Sequence, residues 1–355
     1  MSITFDLCAV RGSFQLQVEA GIPSRGITAI FGHSGCGKTT LLRCLSGLQP
    51  CRGSINISGI DIACLPPRER QMGYVFQEDR LFPHLSVQGN LDFAYQRRFN
   101  DHGPSIDQVS QWLSLGQLLQ HHPEQLSGGQ KKRVAIGRAL LCSPRCLLLD
   151  EPLAGLDASA SHEILHQLKR LSAQLAIPVL YVSHQMDEII RIADQLLLME
   201  QGQLIANGPL LDLLTRLDLS LSKAEQSAAI LCGQVAGHEP KHGMSTLDIG
   251  GGNTLWLTRA TSAVGETLRV RIPARDVSLT LSKSADTSIL NILPATISGI
   301  ELVNTSRAVV KAEITGSGQC ILARITQKSL QHLGLQVGKP VYLQIKSVAL
   351  LSEKL

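Results

Sequence analysis

The run Gly32-His-Ser-Gly-Cys-Gly-Lys38-Thr39 gathers three glycines, a lysine and two hydroxyls into one short stretch. It fits the spacing G-x-x-x-x-G-K-[ST], follows the apolar run Ile27 to Phe31 and opens a helical pattern from Thr40 to Gly47. In that context glycines let the backbone curl, so that successive N–H groups and a helix N-terminus converge on a phosphate. The expected anion contacts are Gly32, His33, Ser34, Gly35, Cys36, Gly37, Lys38, Thr39 and Thr40. Lys38 would place a point charge between the β- and γ-phosphates of a nucleotide, and the Thr39 hydroxyl would ligate Mg²⁺.

A second cluster, Cys146-Leu-Leu-Leu-Asp150-Glu151, reads as an apolar strand ending in adjacent carboxylates. Buried strand ends seldom carry two acids unless a cation or a proton transfer employs them. Asp150 is expected to hold Mg²⁺, and Glu151, on the other side of the strand, to polarise an attacking water. The plainer use of the pair is to cap the turn at Pro152.

Groups of this kind need a scaffold, and the composition supplies one. The 355 residues are 44% hydrophobic and 17% charged, against roughly 25% charged in an average globular chain. Such a chain is core-rich and not disordered, and its length suggests about two domains. A net charge of +4, no basic run longer than Lys131-Lys132-Arg133 and 4% aromatics leave little for binding nucleic acid. Nine cysteines without a CxxC pair read as reduced, mostly packed thiols. No run of about 18 apolar residues could span a bilayer, so a cytosolic protein that serves a membrane only through partners is expected.

Apolar runs at Ile27 to Phe31, Cys146 to Leu149, Val179 to Val182 and Gln195 to Met199 alternate with helical patterns at Gly128 to Leu141 and Ser159 to Leu175. This predicts an α/β domain around a parallel sheet, delivering its chemistry at strand ends. After Gly208-Pro209 a leucine-rich segment runs to Lys223, and then short strands divided by Gly, Pro, Asn and Asp predict an all-β, OB-like domain. The expected boundaries are 1–223 and 224–355. The second domain shows a degenerate repeat: Cys232-Gly-Gln-Val-Ala-Gly-His-Glu matches Leu293-Pro-Ala-Thr-Ile-Ser-Gly-Ile-Glu, and Gly265-Glu-Thr-Leu-Arg-Val-Arg-Ile matches Gly338-Lys-Pro-Val-Tyr-Leu-Gln-Ile.

Leu126-Ser127-Gly128-Gly129-Gln130 narrows the field. With the phosphate loop, Gln77 in Tyr74-Val-Phe-Gln, Asp150-Glu151, Gly155-Leu156-Asp157 and His184 in Tyr181-Val-Ser-His, it completes six motifs in one order. Residues 1 to 215 thereby resemble the ATP-binding-cassette ATPases, whose fold is an α/β P-loop NTPase. The resemblance implies ATP and Mg²⁺ as cofactors and a homodimer sandwiching two ATP molecules head to tail. Each ATP would lie between one subunit's phosphate loop and the other's Ser127, Gly128, Gly129 and Gln130. It further implies that Asp157 binds nucleotide, that Gln77 contacts Mg²⁺ or water, and that His184 meets the γ-phosphate beside Glu151. Leu81, Phe82 and Leu85 are apolar in a loop that should be polar; in the family this region receives a cytoplasmic helix of a membrane subunit. For adenine, Phe14 is the nearest aromatic candidate, with Phe5 equally suited to the core.

A β domain without fused membrane helices resembles bacterial importer ATPases, and residues 289 to 352 resemble the TOBE/Mop module of molybdate-binding proteins. That implies two integral membrane permease subunits, indirect coupling to a periplasmic substrate-binding protein, and residence on the cytoplasmic face of the inner membrane. Molybdate would be the cargo and a regulatory ligand of Ser288, Thr326, Ser329, Lys346 and Ser347. The pattern departs at Leu290, where a basic residue is expected. Tungstate, sulfate, iron or an organic solute as cargo, a soluble non-transport cassette, and an oxyanion store or sensor are the alternatives.

Overall fold

The computed structural model describes residues 2–57, 59–175, 177–258 and 262–350. The chain divides into two compact units, Met1–Pro209 and Leu210–Leu355. The leucine-rich segment up to Lys223 thus lies with the second unit, ahead of the boundary expected at residue 223. The ends of the expected 289–352 module and 224–355 domain lie outside the described residues.

The first unit holds β1 (Ser2–Arg11), β2 (Phe14–Pro23), β3 (Gly26–Phe31), β4 (Arg52–Ile57), β5 (Ile60–Asp61), β6 (Met72–Val75), β7 (Cys146–Asp150), β8 (Pro178–Val182), β9 (Gln195–Glu200) and β10 (Gln203–Pro209). Its helices are α1 (Lys38–Ser46), α2 (Val87–Tyr95), α3 (Ile106–Trp112), α4 (Gly128–Leu141), α5 (Ala158–Leu175) and α6 (Met186–Ile192). The strands form one sheet in the order β5-β4-β1-β2-β10-β9-β3-β8-β7-β6. From β9 to β6 every pairing is parallel. Each residue of β7 and β8 is buried, as expected of strands covered on both faces, and that explains their continuous apolar runs.

The other half of the sheet is antiparallel except where β10 meets β2 in parallel at Gln203↔Gln17, a mixed arrangement that continuous apolar runs do not predict. β1 pairs with β2 from Ser2↔Pro23 to Arg11↔Phe14 and with β4 on its far side. Burial alternates strictly along β2, so its inward Leu16, Val18, Ala20 and Ile22 pack with Leu41, Leu42 and Leu45 of α1. A period of two is the mark of a half-covered strand. The two-residue turn Gly12-Ser13 closes this hairpin and sets Phe14 at the start of β2.

The second unit opens with α7 (Leu210–Leu214) and α8 (Ser220–Lys223). Strands β11 (Ala228–Glu239), β12 (Met244–Asp248), β13 (Thr254–Thr258), β14 (Thr267–Pro273) and β15 (Val277–Thr280) follow, then β16 (Asn291–Leu302), β17 (Arg307–Ile314), β18 (Cys320–Thr326), α9 (Gln327–His332), β19 (Pro340–Ile345) and β20 (Ala349–Leu350). They form two five-stranded sheets, β13-β12-β11-β14-β20 and β15-β19-β16-β17-β18. Read from opposite ends these orders are the same, so the repeat seen in the sequence is a duplicated fold. Even the irregularities match, with register shifts at Val235/Gly237 and at Ile297/Gly299. The fifth strand is exchanged: β15 follows the first copy but pairs with β19 of the second, while β20 pairs with β14 of the first.

One core serves both copies, with Leu231, Leu247 and Val270 packed alongside Leu293, Val310 and Leu343. The hairpin turns meet at Gly251 and Gly316, both at positive φ, where a Cβ on Gly251 would come 2.3 Å from the Gly316 carbonyl carbon. Asn291 joins the sheets as well: it is buried, accepts from Trp256 N (2.7 Å) and donates to Trp256 O (3.0 Å). Truncating it strands two backbone groups. Asn291→Ala should therefore destabilise this unit by about 1–3 kcal/mol, read by urea unfolding in a Trp112→Phe background where Trp256 is the remaining tryptophan. A loss within about 0.5 kcal/mol of zero would mean that solvent replaces the pair without cost.

Candidate nucleotide site

The phosphate loop leaves β3 at Phe31 through a glycine that geometry demands. A Cβ on Gly32 would stand 2.2 Å from the Met199 carbonyl oxygen, and Gly37, at φ 106°, would drive one into the Phe14 ring at 2.8 Å. His33, Ser34 and Gly35 remain exposed at the loop tip, whereas Lys38 is buried beneath it. Its ammonium donates to Gly32 O (2.7 Å) and His33 O (3.0 Å), so the loop encircles a cation. Burial pushes the Cys36 thiol up even with Lys38 beside it, which leaves that thiol protonated and unreactive.

Three adjacent strands deliver the remaining groups. Asp150 ends β7 with 4% of its surface exposed, accepting from Thr39 Oγ1 (2.8 Å) on α1 and from the Tyr74 hydroxyl (2.9 Å) on β6. Burial and the Asp150 charge push the Tyr74 phenol well up, so it stays a donor. Glu151 turns away in the left-handed region, at φ 46°, its N–H held by Val182 O (3.1 Å). That turn brings Glu151 Oε1 to 3.3 Å from His184 Nδ1, after β8. Thr39, Asp150, Glu151 and His184 thus converge at the ends of β3, β7 and β8.

Thr39 and Asp150 offer hard oxygen donors, and no group of three or more His, Cys, Asp or Glu side chains forms a metal cage among the described residues. Such a sparse oxygen set suits Mg²⁺, which keeps its waters and phosphate ligands and takes one or two protein groups.

Ser127 caps α4. Its hydroxyl accepts from Gln130 N (3.3 Å), and Gln130 Oε1 accepts from Ser127 N (2.8 Å), a reciprocal pair that fixes the turn. Gly128 and Gly129 are pressed against Leu156 and Ala160, where a Cβ would meet carbon at 3.1 and 3.2 Å. Asp157 accepts from Ala160 N (2.9 Å) at the head of α5. Gln77 is exposed after β6. Thr40 is half-buried in the first turn of α1.

Near this site, sequence reasoning missed the buried charged groups Glu188 and Lys132. Glu188, on α6, accepts from Tyr181 OH and Ser183 Oγ, both at 2.7 Å, and Ser183 Oγ accepts from Gln185 N. It braces the turn on both sides of His184, and an acid four residues past that histidine was the available signal. Lys132, on α4, is buried although it lies inside the basic run Lys131-Lys132-Arg133. The structure also separates the two aromatic candidates: Phe5 is core, while Phe14 lines an open pocket of ≈ 700 Å³ with His33, Ser34, Gly35 and Gln17.

Leu81, Phe82 and Leu85 are half-buried, not exposed as expected. Asn90, fully buried, holds their loop by accepting from Phe82 N and donating to Phe82 O and Leu85 O. Phe82 and Tyr74 line a groove of ≈ 460 Å³.

Of the five expected oxyanion contacts, Ser288, Lys346 and Ser347 line one cavity of ≈ 630 Å³ together with Thr258 and Leu290. Thr326 and Ser329 do not join them. Their hydroxyls share a 2.8 Å hydrogen bond, and Thr326 Oγ1 caps α9 by accepting from Ser329 N (3.0 Å), beside the far end of β16, roughly 30 Å away at about 3.3 Å per strand residue. The Ser347 hydroxyl, moreover, donates to Asp276.

Known proteins give this arrangement a class. The ABC transporter model matches residues 16–154 and the TOBE domain model residues 287–351. A dimeric post-hydrolysis ATP-binding cassette bound to ADP and Pi superposes with TM-score 0.51 at 26% identity, covering 59% of this chain and 99% of that one. A nucleotide-free cassette from an ABC transporter gives 0.52 at 26%, covering 59% and 91%. The first unit is an ATP-binding-cassette ATPase, and the second carries a TOBE domain.

Similarity extends over both. The molybdenum import ATP-binding protein ModC of Albidiferax ferrireducens is 45% identical over 98% of this chain and 96% of its own. That of Methylococcus capsulatus is 45% identical over 95% and 96%, and that of Pseudomonas aeruginosa 43% over 96% and 96%. The chain belongs to this family of import ATP-binding proteins.

Phe14 beside the loop tip predicts base stacking. Phe14→Ala should weaken ATP binding roughly 10-fold, in keeping with about 1–3 kcal/mol per stacked base, and leave inorganic tripolyphosphate binding unchanged in calorimetry. Equal losses for both ligands would assign the effect to the contact with Gly37.

Proposed function

We propose that this chain hydrolyses ATP as a head-to-tail dimer and thereby drives molybdate uptake through two membrane permease subunits. The convergence of Thr39, Asp150, Glu151 and His184 at three neighbouring strand ends carries this reading. Lys38 and the loop N–H groups bind the β- and γ-phosphates, Lys38 exchanging the carbonyls of Gly32 and His33 for phosphate oxygens. Thr39, Asp150 and Gln77 would hold Mg²⁺, whose chemistry is to neutralise charge on the phosphates. Glu151 accepts the proton of the attacking water, and His184, oriented by Ser183 and Glu188, donates to the γ-phosphate. Ser127, Gly128, Gly129 and Gln130 present a helix N-terminus to the partner's nucleotide, with Asp157 alongside. In the groove beside Phe82 a cytoplasmic helix of the permease docks, placing the protein on the inner face of the membrane.

Molybdate as cargo is supported by the import relatives, which match this chain through both units. Cells lacking the protein should recover radiolabelled molybdate uptake with the parent chain and not with Glu151→Gln, and tungstate should compete better than sulfate. Purified Glu151→Gln should still bind ATP and accumulate a dimer on size exclusion, with hydrolysis down by about 10²- to 10⁴-fold. Lys38→Ala should lose tight ATP binding altogether. A persistent Glu151→Gln monomer would sink the sandwich, and sulfate winning the competition would sink the cargo.

For the TOBE unit, molybdate is a regulatory ligand of the cavity at Ser288, Lys346 and Ser347. Completing the set with Thr326 and Ser329 takes a second copy of this chain, because one copy holds them at opposite ends of a sheet. Asp276 beside Ser347 and the apolar Leu290 leave Lys346 as the cation facing the anion. Calorimetry on the full chain should give molybdate heat that Lys346→Ala abolishes. No heat at millimolar molybdate in the parent would make this unit structural.

A further inference from the structure

Lys132 is a buried cation that none of the roles above employs. It sits on α4 with 3% of its surface exposed, and all three contacts of its ammonium reach one short loop. It donates to Gln77 O (2.9 Å) and Phe76 O (3.3 Å) and lies 2.8 Å from Asp79 Oδ1. An ammonium withdrawn from water is costly unless its donors are used, and here two of the three contacts hold the backbone carbonyls on either side of the Gln77 side chain while the third holds the Asp79 carboxylate two residues on. That side chain stays exposed, so Lys132 aims Gln77 without occupying it. The same helix begins at Ser127, Gly128 and Gly129. A helix is stiff over two turns, so displacement of its N-terminus carries Lys132, and with it the Gln77 carbonyl.

From this geometry we infer that Lys132 is a positioning residue for Gln77, tying the metal side of one nucleotide site to the helix whose N-terminus serves the other. The inference rests on the reading that Gln77 meets the metal. Lys132 touches neither nucleotide nor metal; its effect passes through two carbonyls and one carboxylate. Residues that orient a metal contact typically alter metal affinity roughly 10- to 100-fold when lost, whereas a packing lysine would change stability alone.

The test uses the full-length protein with a non-hydrolysable ATP analogue and Mn²⁺ in place of Mg²⁺, free Mn²⁺ being counted by electron paramagnetic resonance. Gln77→Ala and Lys132→Met should each weaken Mn²⁺ binding by roughly 10-fold. The double variant should be no weaker than either single one, because both act on one contact. Analogue affinity without metal should stay within about two-fold of the parent. If Gln77→Ala weakens Mn²⁺ binding and folded Lys132→Met does not, the inference about Lys132 is overturned and the reading of Gln77 stands. Parent-like binding in Gln77→Ala overturns both. Should Lys132→Met fail to fold, Lys132→Gln, shorter and uncharged, is read instead: weakened Mn²⁺ binding supports the inference, and parent-like binding overturns it.

Discussion

A carboxylate with 4% of its surface exposed, at the end of a wholly buried strand, is the constraint around which the first unit is organised. Asp150 can stay charged there only if its oxygens are hydrogen-bonded or meet a cation. Its two donors come from opposite flanks, Tyr74 from β6 beside it and Thr39 from α1 behind β3. Satisfying Asp150 therefore fixes the order of the neighbouring strands, the seat of α1 and the mouth of the phosphate loop together. Glu151 escapes the same burial by turning into the left-handed region, and the turn is what hands it to His184.

The chemistry was legible in the sequence because it is local. A phosphate loop must have glycine where its backbone nearly touches Met199, and the doubly covered strands must be apolar throughout, so both leave unbroken signatures. What the sequence does not display is non-local. Lys132 looks like part of a solvated basic run until α4 is packed against the Gln77 loop, and Glu188 looks like a surface acid until Tyr181 and Ser183 close on it. The antiparallel pairing of β1, β2 and β4 leaves a different mark, a strict alternation in β2 with no continuous apolar run, because these strands are covered on one face only.

In the second unit the duplication was legible and the oxyanion set was not. Matching strands preserve their inward residues, so β11 and β16 resemble each other even at their bulges. A ligand set taken from a family pattern carries no information about which chain each residue comes from. Ser288 and Lys346 flank adjoining ends of β16 and β19, whereas Thr326 closes β18 at the opposite end.

The exchanged fifth strands also decide when this unit can be completed. The first copy's sheet ends on β20, which joins Val270 to Leu350 across about eighty positions of chain, while β15 waits for β19. Neither sheet reaches its full width while the ribosome is still short of the second copy. Because long loops must close before such pairings are rewarded, the topology favours slow, late assembly. The cassette, whose strands end at Pro209, is synthesised first and has time to fold while its attached β unit still exposes unpaired strand edges. Those edges are the sites at which two newly made chains would pair wrongly, each taking the other's β15 or β20 in place of its own.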